Sequence, residues 1–128
     1  MLGIVIIEDD ALMRGLLAEW LAAEGYRVDA APRRDWCGDT AVDLVIVDLF
    51  MPRHLGGDRL RAARVAHPAV PIIAISGHFR PGVRSTGPAA EALGVERVIA
   101  KPFGREAFLE VVRSVVGAPR ASDRGVAA

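Results

Sequence analysis

The 128-residue sequence lacks an excess of either charge: 16 basic and 16 acidic side chains cancel to a formal net charge of zero, with a pI near 6.8. A chain that grips nucleic acid by neutralising phosphates carries a clear positive excess, so a bulk electrostatic role on nucleic acid is not expected. Lysine is almost missing, with one against fifteen arginines. The single cysteine, Cys37, has no partner in the chain, which excludes an internal disulfide and fits a reducing compartment or indifference to redox. No long apolar run is present either. The first stretch meets Glu8, Asp9 and Asp10 after a few residues, too short and too soon acidic for a signal peptide or a membrane span. A cytoplasmic protein with no membrane contact is the expectation. His54, His67 and His78 have no metal-ligand spacing, so zinc is not expected. Internal repeats and low-complexity segments are missing too.

What remains is an apolar chain, 52% hydrophobic, of a length that suits one domain burying roughly two-thirds of its unfolded surface. Five short apolar runs stand out at 2–7, 27–31, 44–47, 72–75 and 97–100. Three of them, GIVII, LVIV and IIAI, show no alternation of polar and apolar residues, as expected of strands buried on both faces of a parallel sheet. Helical patterns fill the gaps. Leu12, Leu16 and Trp20 with Met13, Leu17 and Leu21 form two adjacent i, i+4 rows, with Asp10 as N-cap and Gly25 as terminator. Leu60, Ala63 and Ala66 trace a weaker stripe after Gly57 and Asp58, ended by His67-Pro68; 88–93 reads as a short helix ended by Gly94; and Phe108, Val111, Val112 and Val115 form a final stripe closed by Gly117. Only a short or irregular helix, anchored by Trp36, fits between Arg33 and Thr40. Strand and helix thus alternate five times, the pattern of an open doubly wound α/β sheet. The domain is expected to span 1–117, with 118–128 (APRASDRGVAA) a disordered tail and no output module after it.

In such a sheet ligands bind at the carboxyl ends of the strands. Those ends carry Glu8-Asp9-Asp10, Asp48, Ser76-Gly77 and Lys101-Pro102. Crowded carboxylates repel unless a cation neutralises them, and a hard, all-oxygen donor set suits Mg2+. Mg2+ commonly shares its shell with a phosphate, which makes a phosphoryl group the expected substrate fragment. Lys101 and Ser76 are placed to hold its oxygens, and one Asp to act as nucleophile.

These residues carry a family resemblance. With Glu8-Asp9 after the first strand, Asp48-Leu49-Phe50-Met51-Pro52 followed by Gly56, Ser76-Gly77 after the fourth and Lys101-Pro102-Phe103 after the fifth, residues 2–117 resemble the receiver domain of two-component response regulators. The resemblance implies a flavodoxin-like doubly wound (βα)5 fold with a five-stranded parallel sheet, strand order 2-1-3-4-5. It implies that Asp48 is the phosphoacceptor, taking a phosphoryl group from a sensor histidine kinase, a histidine phosphotransfer protein or a small donor with Mg2+ as cofactor. Asp9 would be the direct metal ligand, Glu8 a ligand mainly through water, with Asp48 and the backbone carbonyl of Phe50 completing the set. Lys101 would pair with the phosphoryl group before a cis Pro102, Ser76 would swing towards it as the switch, and Gly77 would leave the site open. An unknown downstream protein would read the face made by the helix at 88–93, the fifth strand and the last helix, where Arg97, Arg105, Glu106 and Arg113 are candidates. A homodimer through that face is compatible with the sequence.

Asp10 reads as a helix cap rather than a ligand. Two departures from the family pattern matter. Val98 stands three positions before Lys101, where the family usually has an aromatic ring; a β-branched aliphatic has little rotameric travel, so switching is expected to rest on Ser76 and backbone shifts. The segment HFRPGVRSTG, 78–87, is expected to be an irregular, mobile loop. In it His78, with Phe50, occupies a position that in the family flanks the path of the attacking water, and the bulk of Phe50 is expected to prolong the phosphorylated state. No enzymatic activity is expected beyond self-catalysed phosphorylation and autodephosphorylation: phosphohydrolases with an Asp nucleophile usually carry a second Asp two residues on, where this chain has Phe50. A phosphate sink or relay, and a non-phosphorylated binding module, are the alternatives. Intact Glu8, Asp9, Asp48, Ser76 and Lys101 argue against the last.

Overall fold

A computed structural model of the chain describes residues 2–30, 42–49, 53–77, 79 and 83–117, with the backbone alone over 53–58. The short helix expected around Trp36, Cys37, Phe50, His78 and the tail at 118–128 lie outside the described residues. The elements run β1 (Gly3–Ile7), α1 (Ala11–Glu24), β2 (Arg27–Asp29), β3 (Leu44–Asp48), α2 (Arg53–Ala66), β4 (Ile72–Ser76), α3 (Pro88–Leu93), β5 (Arg97–Ala100) and α4 (Arg105–Val116). All strand pairs are parallel and the order is β2-β1-β3-β4-β5. The chain leaves β1 towards one sheet edge and later resumes at β3 on its other side, so the ends of β1 and β3 frame the crevice where the winding reverses.

Alternate residues of each strand point to opposite faces, and both faces are covered. Ile4, Ile6, Ile46, Ile73 and Ile75 meet Leu17 and Leu21 of α1 and Phe108, Leu109 and Val112 of α4. Val5, Val45, Val47, Ala74 and Val98 meet Leu60 and Ala63 of α2 and Ala90 of α3. That two-sided burial is why the strands read as unbroken apolar runs. Ile predominates on the α1/α4 face, and Val and Ala on the α2/α3 face. Trp20 closes one end, its ring 5.9 Å from Phe108 and 6.5 Å from Phe103 between centroids.

Several details depart from the sequence pattern. Of the two rows on α1, only Leu17 and Leu21 are fully buried, with Met13 and Trp20 packed partly against the core; Leu12 is 87% exposed and Leu16 40%, since a sheet covers one stripe of a helix. Helix α2 starts at Arg53, ahead of Gly57-Asp58: glycines lower helix propensity by about 1 kcal/mol each without forbidding the conformation. Its buried stripe is Leu60, Ala63 and His67, while Ala66 faces solvent. The His67 N–H closes the last turn on the Ala63 carbonyl at 2.9 Å. Arg105 and Arg113 are drawn to Glu24 of α1, at 3.8 and 3.2 Å, so they fasten two helices together rather than stand free on the outer face. Arg97 is half-buried; Glu106 is exposed. Among the described residues, no helix is long and apolar enough to cross a membrane.

Candidate functional site

Four of the five strands, β1, β3, β4 and β5, bring polar groups to the site where the chain leaves the sheet. Glu8 and Asp9 follow β1 directly. Asp10 then starts α1, its side chain accepting the N–H groups of Leu12 at 2.9 Å and Met13 at 3.4 Å, so its carboxylate is spent on capping. Arg14, one turn into α1, donates to the Glu8 carbonyl at 2.7 Å and fixes the backbone of the acidic turn. Asp48 is the last residue of β3, and the next N–H, that of Leu49, bonds to the Ile75 carbonyl at 2.7 Å. Ser76 ends β4, and Gly77 turns away without a forced contact: a Cβ there would meet only the Lys101 Cβ, at 4.0 Å. Lys101 follows β5, its N–H bonded to the Ser76 carbonyl at 3.0 Å, and the Lys101–Pro102 peptide bond is cis.

Glu8 and Asp48 are each 2% exposed and Ser76 3%. Lys101 Nζ lies 3.0 Å from Asp48 Oδ1 and 3.9 Å from Glu8 Oε1. These are ion-pair distances without hydrogen-bond alignment, and Glu8 Oε1 and both Asp48 oxygens carry no hydrogen bond. Burial pushes the Glu8 carboxyl up to about 7, assisted by the neighbouring Asp48 carboxylate; the Asp10 N–H on Glu8 Oε2 at 3.0 Å and the Lys101 ammonium oppose the rise. One ammonium therefore faces two buried carboxylates. Above the pair, Asp9 is 63% exposed at its side chain and meets the guanidinium of Arg59 from α2.

Unpartnered buried carboxylate oxygens are what a hard cation takes up, so the donor set fits Mg2+. Among the described residues there is no ready-made cage of three or more His, Cys, Asp or Glu. Mg2+ is commonly held by one or two carboxylates together with carbonyls and waters. The expected carbonyl ligand, Phe50, and the tuning residue His78 lie outside the described residues. Glu8, Asp48, Ser76 and Lys101 converge; Asp9 stands at the rim. Val98 does not approach the acids: it is 1% exposed and packs in the α2/α3 layer. It also lines a cavity of about 350 Å³ with Val83, Ser85 and Pro102, beside Lys101. Residues 83–87 carry no regular structure, in keeping with the irregular loop expected there.

Arg59 was not among the residues the sequence pattern singled out. Its Nη1 donates to the Asp48 carbonyl at 2.7 Å and its Nη2 to Asp9 Oδ2, bridging the ends of β3 and β1. Only its place on the helix after Asp48 hinted at reach.

A family model described as the response regulator receiver domain matches residues 4–113. Regulatory protein VirG of Agrobacterium fabrum is 36% identical over 115 residues, covering 86% of this chain and 44% of VirG. The chain thus spans about half the length of the curated relatives it matches. A response regulator receiver protein from Burkholderia phymatum superposes with a TM-score of 0.71 at 30% identity, over 94% of this chain and all of the other. The response regulator TrrA of Thermotoga maritima, solved in complex with Mg2+-BeF, superposes with a TM-score of 0.66 at 26% identity, over 90% and 99% of the two chains.

Proposed function

Because the chain belongs to the response regulator receiver domain family of two-component systems, we propose that it is a phosphoacceptor switch with Asp48 as the accepting residue. One observation carries the reading: the Asp48 carboxylate is buried, has both oxygens free of hydrogen bonds, and has an ammonium 3.0 Å away. Such a carboxylate is held ready as a nucleophile. One of its oxygens bonds to phosphorus as the bond from phosphorus to the donor's leaving group breaks. For a phosphohistidine, the electron pair leaves with the imidazole, which takes up a proton. Lys101 neutralises a phosphoryl oxygen as the pair it forms with Asp48 is remade, and Ser76, buried at the adjoining strand end, is the hydroxyl that follows. Glu8, Asp9 and Asp48, with the Phe50 carbonyl, would hold Mg2+, which when bound offsets the charge of the carboxylates and the phosphoryl oxygens. The Mg2+-BeF complex of TrrA supports this assignment.

Receiver domains work between histidine kinases and downstream effectors, and the same partners are proposed here: a histidine kinase or phosphotransfer protein as donor, and a protein or second copy on the face of α3, β5 and α4 as reader. The chain's own catalysis is confined to its phosphorylation and dephosphorylation. The test is intact mass after incubation with Mg2+ and acetyl phosphate. One phosphoryl adduct on the wild type and none on Asp48→Asn is the expected result; no adduct on either overturns it.

A further inference from the structure

Arg59 has no place in the scheme above, yet it occupies the rim of the site. One guanidinium nitrogen holds the Asp9 carboxylate and the other the main-chain carbonyl at the end of β3, so the group spans the two strand ends between which the divalent ion is proposed to sit. A lone surface ion pair adds little to stability, but this one is two-pronged and its arginine side chain is only 24% exposed. From this contact, and resting on the metal site just described, we infer that Arg59 is a built-in counter-ion that competes with Mg2+ for Asp9 and must swing out before the ion is bound.

Counting charges supports the exchange. Three carboxylates, those of Glu8, Asp9 and Asp48, face two cations, Lys101 and Arg59. Adding a divalent ion with Arg59 in place leaves the ionised site at +1; adding it with Arg59 displaced leaves it neutral. The guanidinium cannot lose its proton to ease the crowding, so Arg59 relieves the excess by moving. Its position on α2, with an exposed Asp9 as partner, allows that movement without opening the core. The contact therefore sets how much free Mg2+ the protein needs, and with it the readiness of Asp48.

The test is Mg2+ binding, read by isothermal titration calorimetry on the unphosphorylated full chain. Arg59→Ala is expected to bind Mg2+ about tenfold more tightly than the wild type, or about 1.4 kcal/mol, with Arg59→Lys between them because a point charge lacks the fork. The gain should persist at high ionic strength, where a mere long-range field is screened. Arg105→Ala, which alters a pair on the far side of α1, should bind as the wild type does. Equal or weaker binding by Arg59→Ala overturns the inference, while loss of binding in Asp9→Asn would still uphold the metal site. Absence of Mg2+ binding in the wild type and in Arg59→Ala alike overturns both.

Discussion

Lys101 Nζ reaches Asp48 Oδ1 at 3.0 Å across the end of β4, although the strands that carry the two residues are not neighbours in the sheet. The ammonium is the only positive charge within ion-pair distance of that carboxylate among the described residues. Lys101→Met should lower the stability of the metal-free protein by about 2 kcal/mol near neutral pH, because it strands a buried charge. Urea midpoints check it, and the intact-mass assay should show slower phosphorylation.

Glu8 supplies a pH dependence of opposite sign to the usual carboxylate. Its carboxyl is raised from 4.5 to about 7, so the fold prefers it protonated, and its contribution to stability is lost as pH climbs from about 4.5 through about 7. Glu8→Gln mimics the protonated form. Without divalent ions, the variant should match the wild type near pH 5 and exceed it at pH 8, by urea or thermal unfolding. Burial lowers His67, which costs stability as pH falls below its ordinary value of 6.5 in both proteins, so their difference isolates Glu8.

Asp10 and Asp9 are adjacent acids with separable jobs. Asp10→Ala should cost about 1 kcal/mol by removing the cap of α1, Asp10→Asn should cost little because Asn caps as well, and neither should abolish the phosphoryl adduct. Loss of the adduct in Asp10→Asn would show that the residue is a ligand after all.

The Tyr26 hydroxyl donates to the Gly117 carbonyl at 2.8 Å, tying the end of α4 to the start of β2. Tyr26→Phe should cost about 1 kcal/mol, seen as a lower urea midpoint with an unchanged slope.

The strands were legible because burial on both faces leaves no polar residue in Ile4 to Ile7 or in Ile72 to Ile75, and the acids and the lysine were legible because they follow those runs directly. Helix faces were less so. Two equally apolar rows on α1 do not say which one meets the sheet, and Ala66 and His67 lie on either side of a stripe edge that only packing decides. Arg59 was illegible for a different reason: its partner Asp9 lies fifty residues away, and no local period marks a side chain that reaches across a crevice.

One main-chain bond has a mechanical consequence. The Lys101 N–H is held by the Ser76 carbonyl at 3.0 Å, and Ser76 pairs with Ala100 in the β4–β5 register. Hydroxyl and ammonium are thus mounted on one rung of the sheet. The main chain itself therefore couples the positions of the two groups, whatever side chain stands at Val98.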